Sequence, residues 1–160
     1  MTDHRSSAPP HAARGFRRLV VPTDFGEAAI HSVDAALVLA KQLDAEVILL
    51  HVFHVPAVAY ASGAEVPYEE LRAGAAEALG LAAAKMKERH SRTVAEQVEG
   101  EPWQEILAAA ARYHADLIVM GTSAREGLPR FFLGSVAEKV LRASPVPVMI
   151  VAPHAHAPEG

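Results

Sequence analysis

The sequence predicts a single α/β domain, a doubly wound five-stranded parallel sheet with four helices. Two observations carry that prediction. Hydrophobic periodicity switches repeatedly between the strand and helix periods along the chain. Two of the strand-length runs are almost continuously apolar, as strands covered on both faces are. The length of 160 residues suits one domain. A globular chain of that size buries about two-thirds of its surface without staples, and 51% hydrophobic against 21% charged residues is a globular composition.

The elements follow in order. Residues 1–15 are polar and aperiodic, with Pro9 and Pro10 paired, and are expected to be a disordered tail; residues 153–160 read the same way. The domain is expected over 16–152. His4, His11, His154 and His156 fall in the tails and are expected to be solvated. Arg18–Val21 is a short β-branched run closed by Pro22. Glu27–Leu43 carries Ile30, Val33, Leu37 and Ala40 on one helical stripe. Glu46–Phe53 (EVILLHVF) is a buried strand. Pro56–Pro67 interrupts the alternation and is expected to cover an edge of the sheet. Tyr68–Arg89 is a long Ala-rich helix with Leu71, Ala75, Ala78, Ala82 and Met86 on one side. Arg92–Val98 is a less buried strand. Pro102–His114 is a helix with proline in its first turn and Trp103, Ile106, Leu107, Ala110 and His114 facing inward. Asp116–Met120 is a second buried strand, Gly134–Arg142 a short helix, and Val146–Val151 (VPVMIV) the last strand.

Composition excludes whole classes of chemistry. With 0 cysteines there is no disulfide scaffold, zinc–thiolate site, iron–sulfur site or thiol catalysis. A reducing cytoplasm is the expected location. The net charge of −4 conceals a steeper imbalance, because from Leu19 onward 11 basic residues face 18 acidic ones. Such a domain is a poor partner for a phosphodiester backbone, so no nucleic acid is expected. No apolar stretch approaches membrane-spanning length, and the basic start lacks the apolar core of a signal peptide.

In an open parallel sheet, ligands bind beyond the carboxyl ends of the strands where the strand order reverses. Pro22-Thr23-Asp24-Phe25-Gly26 follows the first strand, and His51-Val52-Phe53-His54 ends the second. The carboxylate of Asp24 is suited either to accepting hydrogen bonds from ribose hydroxyls or an adenine amine, or to capping the first helix. Val52 is either the apolar wall for a base or plain core. His51 and His54, three apart on an extended segment, point to opposite faces, so packing or local hydrogen bonding is expected rather than a shared metal. The loop from Gly121 to Gly134-Ser135 is the most informative. It joins a buried strand to a helix whose first N–H groups lack partners, which is an anion-binding arrangement. Ser135 is expected to cap that helix, to donate to a phosphate oxygen, or both. Gly121 and Gly134 allow close backbone approach. Arg125, Arg130, Lys139 and Arg142 against Glu126 and Glu138 make this segment locally basic. It is neither a Walker A loop nor a G-x-G-x-x-G fingerprint.

These residues resemble the universal stress protein family. Its pattern G-x2-G-x9-G-[ST] falls on Gly121, Ala124, Gly134 and Ser135, with three of the four positions matched and the nine-residue spacing kept. Val20-Val21-Pro22-Thr23-Asp24-Phe25, Leu50-His51-Val52 and Ser144-Pro145-Val146-Pro147-Val148 are similar to the family as well. The resemblance runs from about Arg17 to Ala152. It implies an adenine-nucleotide alpha-hydrolase-like sheet in the order 3-2-1-4-5. It also implies an ATP-binding branch in which Asp24 contacts the nucleoside, Val52 lines the base and the glycine-rich loop holds the phosphates. The nucleotide site it implies is Pro22, Thr23, Asp24, Val52, Met120, Gly121, Ala124, Arg125, Gly134, Ser135, Val136 and Ala137. Ala124 departs from the pattern. Alanine there costs about 1 kcal/mol if the position needs positive φ, and Arg125 beside it can offset crowding by pairing with the same phosphate.

The expectation is therefore a stress-response regulatory domain that binds ATP or another adenine nucleotide, with magnesium left open. The alternative is a homodimeric interaction module without nucleotide, paired through the apolar Val146–Val151 edge. Catalysis is not expected, since Asp24 is the one carboxylate placed at the ligand edge, although slow ATP turnover stays open. A receiver domain is excluded by the missing acidic pair and by Ala152-Pro153 where a lysine is needed.

Overall fold

The computed structural model describes residues 15–61, 63, 65–122 and 133–152. The expected tails up to residue 14 and from 153 onward lie outside them, as do Ala124 and Arg125. The elements are β1 (Arg18–Pro22), α1 (Glu27–Leu43), β2 (Glu46–Phe53), α2 (Val58–Ala61), α3 (Tyr68–Arg89), β3 (Thr93–Glu99), α4 (Pro102–Arg112), β4 (Leu117–Gly121), α5 (Ser135–Ala143) and β5 (Val148–Val151). All strands pair in parallel, in the order β3-β2-β1-β4-β5. The expected order and class are what is found; α2, a single turn, is additional.

The three central strands are dry on both faces. Leu19, Val20 and Val21 of β1 and Val47, Ile48, Leu49 and Leu50 of β2 are all fully buried. Alternate residues separate two cores. Leu19, Val21, Leu49 and Val119 pack under α1 and α3, while Val20, Ile48, Leu50 and Ile118 pack under α4 and α5.

The helix faces correct two expected stripes. On α1 the buried residues are Ala29, Ser32, Ala36, Leu37 and Ala40, whereas Ile30 is 57% exposed. The approach is closest at the start of α1, where a Cβ at Gly121 would sit 2.3 Å from the carbonyl oxygen of Ala28. Ser32 is tolerated there because its hydroxyl donates to Ala29 O at 2.8 Å. On α3 the core residues are Leu79, Ala83 and Met86, and Leu71 is exposed, because the first half of the helix overhangs the end of the sheet.

Helices α1 and α4 end alike. Asp44 and His114 adopt φ of 50°, and the next N–H groups, of Ala45 and Ala115, return to Ala40 O and Ala110 O at 2.9 and 2.8 Å. His114 is thus an exposed helix terminus rather than part of the inner face of α4. The last strand starts two residues later than expected. Before it, Ser144 Oγ both donates to Val146 O at 2.7 Å and accepts from Val146 N–H at 3.2 Å.

Candidate functional site

Strand order reverses between β1 and β4, each of which feeds its crossover to the opposite side of the sheet. A cavity of about 820 Å³ opens at the carboxyl ends of β1, β2 and β4. Its lining is mostly apolar, the composition expected of a small-molecule site. Eight of the expected site residues meet there: Pro22, Thr23, Asp24, Val52, Met120, Gly121, Val136 and Ala137. Gly134 and Ser135 begin α5 beside it without forming its wall.

The turn after β1 sets Asp24. Thr23 N–H extends the β1–β2 ladder by donating to Leu50 O at 2.8 Å. Thr23 Oγ1 accepts from Phe25 N–H at 3.0 Å, and Asp24 Oδ1 accepts from Gly26 N–H at 2.9 Å. The helix cap is Gly26, so Asp24 closes a turn and does not cap α1. Among the described residues Asp24 is the one carboxylate on the cavity wall.

At the other side, Gly134 is the extended N-cap of α5, and Ser135 is already the first helical residue rather than the cap. The first backbone bond of this helix is Glu138 N–H to Gly134 O at 2.9 Å. The N–H groups of Ser135, Val136 and Ala137 therefore have no intrahelical acceptor, and the helix dipole adds positive potential. The basic side chains of α5 do not share in this. Lys139 lies 3.8 Å from Glu101 and over the Trp103 ring, and Arg142 is 2.9 Å from Glu138. Neither lines the cavity. The positive pole comes from the helix start, not from those charges. Gly121 likewise serves packing against Ala28 before it serves a ligand.

Most of the wall was not expected from the sequence. Residues Gly74, Ala75 and Ala78 of α3, Pro102 and Ile106 of α4, and Pro56, Ala59 and Val66 of the interruption all line the cavity. The interruption thus covers the ligand end of the sheet, not its edge. The cluster of small residues in the first half of α3 was the available signal. That half is anchored by Tyr68, whose hydroxyl donates to Glu99 Oε2 at 2.8 Å and whose ring stands edge-on to Phe53. The bond to Glu99 raises the phenol above its ordinary pKa. His51 Nδ1–H donates to Thr23 O at 2.8 Å and His54 Nδ1–H to Gly100 O at 3.2 Å, so both rings serve local structure, as expected. No group of three or more His, Asp or Glu residues among the described ones is arranged to hold a metal ion.

A doubly wound parallel sheet with an apolar cavity at its switch point, one aspartate on the wall among the described residues and an open helix start together define the class of this α/β domain. The universal stress protein family model matches residues 15–152, and the chain belongs to that family. It is 37% identical over 139 residues to a universal stress protein of Methanocaldococcus jannaschii, covering 85% of this chain and 82% of the relative. It is 32% identical to the universal stress protein YxiE of Bacillus subtilis, covering 85% and 99%. Among solved structures, the hypothetical protein PH0823 superposes with a TM-score of 0.66 at 31% identity, covering 89% of this chain and all of that one. A universal stress protein in complex with cAMP gives 0.62 at 24% identity, covering 87% and 98%. One from Archaeoglobus fulgidus in complex with dAMP gives 0.64 at 21% identity, covering 84% and 97%; these last two show the shared fold.

Proposed function

We propose that this chain is a regulatory protein of the stress response that binds an adenine nucleotide, ATP first among them, in the cavity at the carboxyl end of its sheet. One observation carries the reading. A single apolar cavity of about 820 Å³ gathers Asp24, Val52, Met120, Gly121, Val136 and Ala137. That wall supplies an acceptor for nucleoside donors, an apolar slot for a base, and the margin of a helix start suited to phosphate. The residues therefore fit the nucleotide. Asp24 Oδ2 accepts from the nucleoside, Val52 and Met120 hold the base, and the N–H groups from Ser135 to Ala137 hold phosphate oxygens. Two proteins of this fold were solved with cAMP and with dAMP, which supports the ligand class. Magnesium, where it accompanies the nucleotide, neutralises phosphate charge. With Asp24 as the one wall carboxylate among the described residues, the reading is binding and not turnover. No described helix is long and apolar enough to cross a membrane, and a nucleotide-dependent role fits the cytoplasm. Mass spectrometry of small molecules released on denaturing freshly purified protein tests the reading directly. An adenine nucleotide in the released fraction supports it, and a chain that neither carries nor takes up one refutes it.

The same chain is also suited to dimerise. Strand β5 is an edge of the sheet, with Met149 38% exposed on it, and edges of this kind are commonly paired. Sedimentation with and without ATP reads the assembly state, and a dimer that ignores nucleotide favours an interaction module.

A further inference from the structure

Phe25 has φ of 65°, a left-handed conformation that is unfavourable for a bulky L-residue. The other two such non-glycine residues among the described ones, Asp44 and His114, each finish a helix. Phe25 finishes nothing; it precedes α1. Its strained turn is held from one side by His51. The Phe25 and His51 rings lie 4.5 Å apart at 34°, and the same imidazole donates through Nδ1–H to Thr23 O. His51 thereby grips both the residue before Asp24 and the residue after it.

Asp24 is the exposed residue between those two. Its Oδ1 is taken by Gly26 N–H, and Oδ2 has no hydrogen-bond partner among the described residues. The bond to Gly26 N–H fixes Oδ1 in the turn, and a side chain at residue 26 would crowd it, since a Cβ there would stand 3.0 Å from Oδ1. Backbone strain held by surrounding contacts is a device of binding sites, where it presents a group in one orientation. We infer that His51 and Phe25 form a clamp that presents Asp24 Oδ2 to the nucleoside, which makes His51 a positioning residue for the ligand. The inference rests on the nucleotide reading above and deepens it.

A double-mutant cycle separates this role from packing alone. ATP affinity is measured for the wild type, His51→Leu, His51→Asn, Asp24→Ala and the His51→Leu/Asp24→Ala pair. Thermal unfolding of each establishes that it is folded. His51→Leu should weaken binding roughly tenfold. His51→Asn, whose amide reaches the Thr23 carbonyl with a donor, should recover most of it. In the Asp24→Ala background, His51→Leu should change affinity by less than about twofold, because the group it positions is gone. Phe25→Leu serves as the second variant if His51→Leu does not fold, with the same expectations. Equal losses from His51→Leu with and without Asp24 would overturn the clamp, as would no loss from His51→Leu while Asp24→Ala weakens binding. A wild-type chain that takes up no ATP overturns the nucleotide reading itself, and the clamp with it.

Discussion

The two ends of the sheet are made of the same strands and finished in opposite ways. At the amino end, chain entries are stapled by side chains. Asp116 Oδ2 accepts from Arg17 and Arg18 N–H at 2.8 and 3.0 Å, His90 Nε2–H donates to Ala45 O at 2.7 Å, and Arg92 donates to Asp44 O at 2.8 Å. Its left-handed residues, Asp44 and His114, are polar types that adopt this conformation with modest strain. At the carboxyl end the strands run out into an apolar cavity, and the non-glycine left-handed residue described there is a phenylalanine. The amino end is tied by side chains, and the carboxyl end opens into the cavity that the proposed function assigns to a ligand. A substitution at one end should therefore move stability, and at the other affinity.

The largest separation is expected from Gly134→Asp. A carboxylate at the start of α5 opposes any phosphate there, so ATP affinity should fall at least about a hundredfold while circular dichroism stays native. Retained affinity would remove α5 from the site. Gly121→Ala tests the one place where the two requirements collide, because its Cβ would meet Ala28 O at 2.3 Å. Urea unfolding should show a loss of roughly 3 kcal/mol, the scale of an overpacked core. A loss under about 1 kcal/mol would mean that α1 shifts freely. Asp116→Ala removes the acceptor for two backbone donors at the amino end. It should cost about 1–2 kcal/mol of stability and leave ATP affinity within about twofold. A large affinity change from this distant site would break the division. Smallest is Arg89→Gln, which removes the exposed pair to Asp34 at 2.6 Å. Denaturation should register less than about 1 kcal/mol, with no effect on binding.

The sequence shows the fold more fully than it shows the site. Dry parallel strands announce themselves as continuous apolar runs, so β1, β2 and β4 and the helices between them are legible. The stripe on α1 misleads at Ile30, which faces solvent, while Val33 packs against the core, Leu37 and Ala40 are buried as expected, and Ala29, Ser32 and Ala36 join them. At the site, Asp24 is legible from its place just after β1 and Val52 from the end of β2, while Met120 at the end of β4 came from the family resemblance. Asp24 and Ser135 were each open to a capping role that a neighbouring glycine takes instead. The wall from α3 and the 56–67 interruption is not legible in this way. It depends on how far a helix overhangs the sheet; the small residues Gly74, Ala75 and Ala78 mark that half of α3 without telling which end of the sheet it covers. Likewise the grip of His51 on Thr23 joins residues 28 apart.

Isothermal titration of ATP into the full chain, with and without magnesium, tests the central claim most directly. The account predicts saturable binding of one nucleotide per chain with Kd below about 1 mM, weakened in Asp24→Ala and lost in Gly134→Asp. No saturable binding at millimolar ATP, or binding that both variants keep, would contradict it.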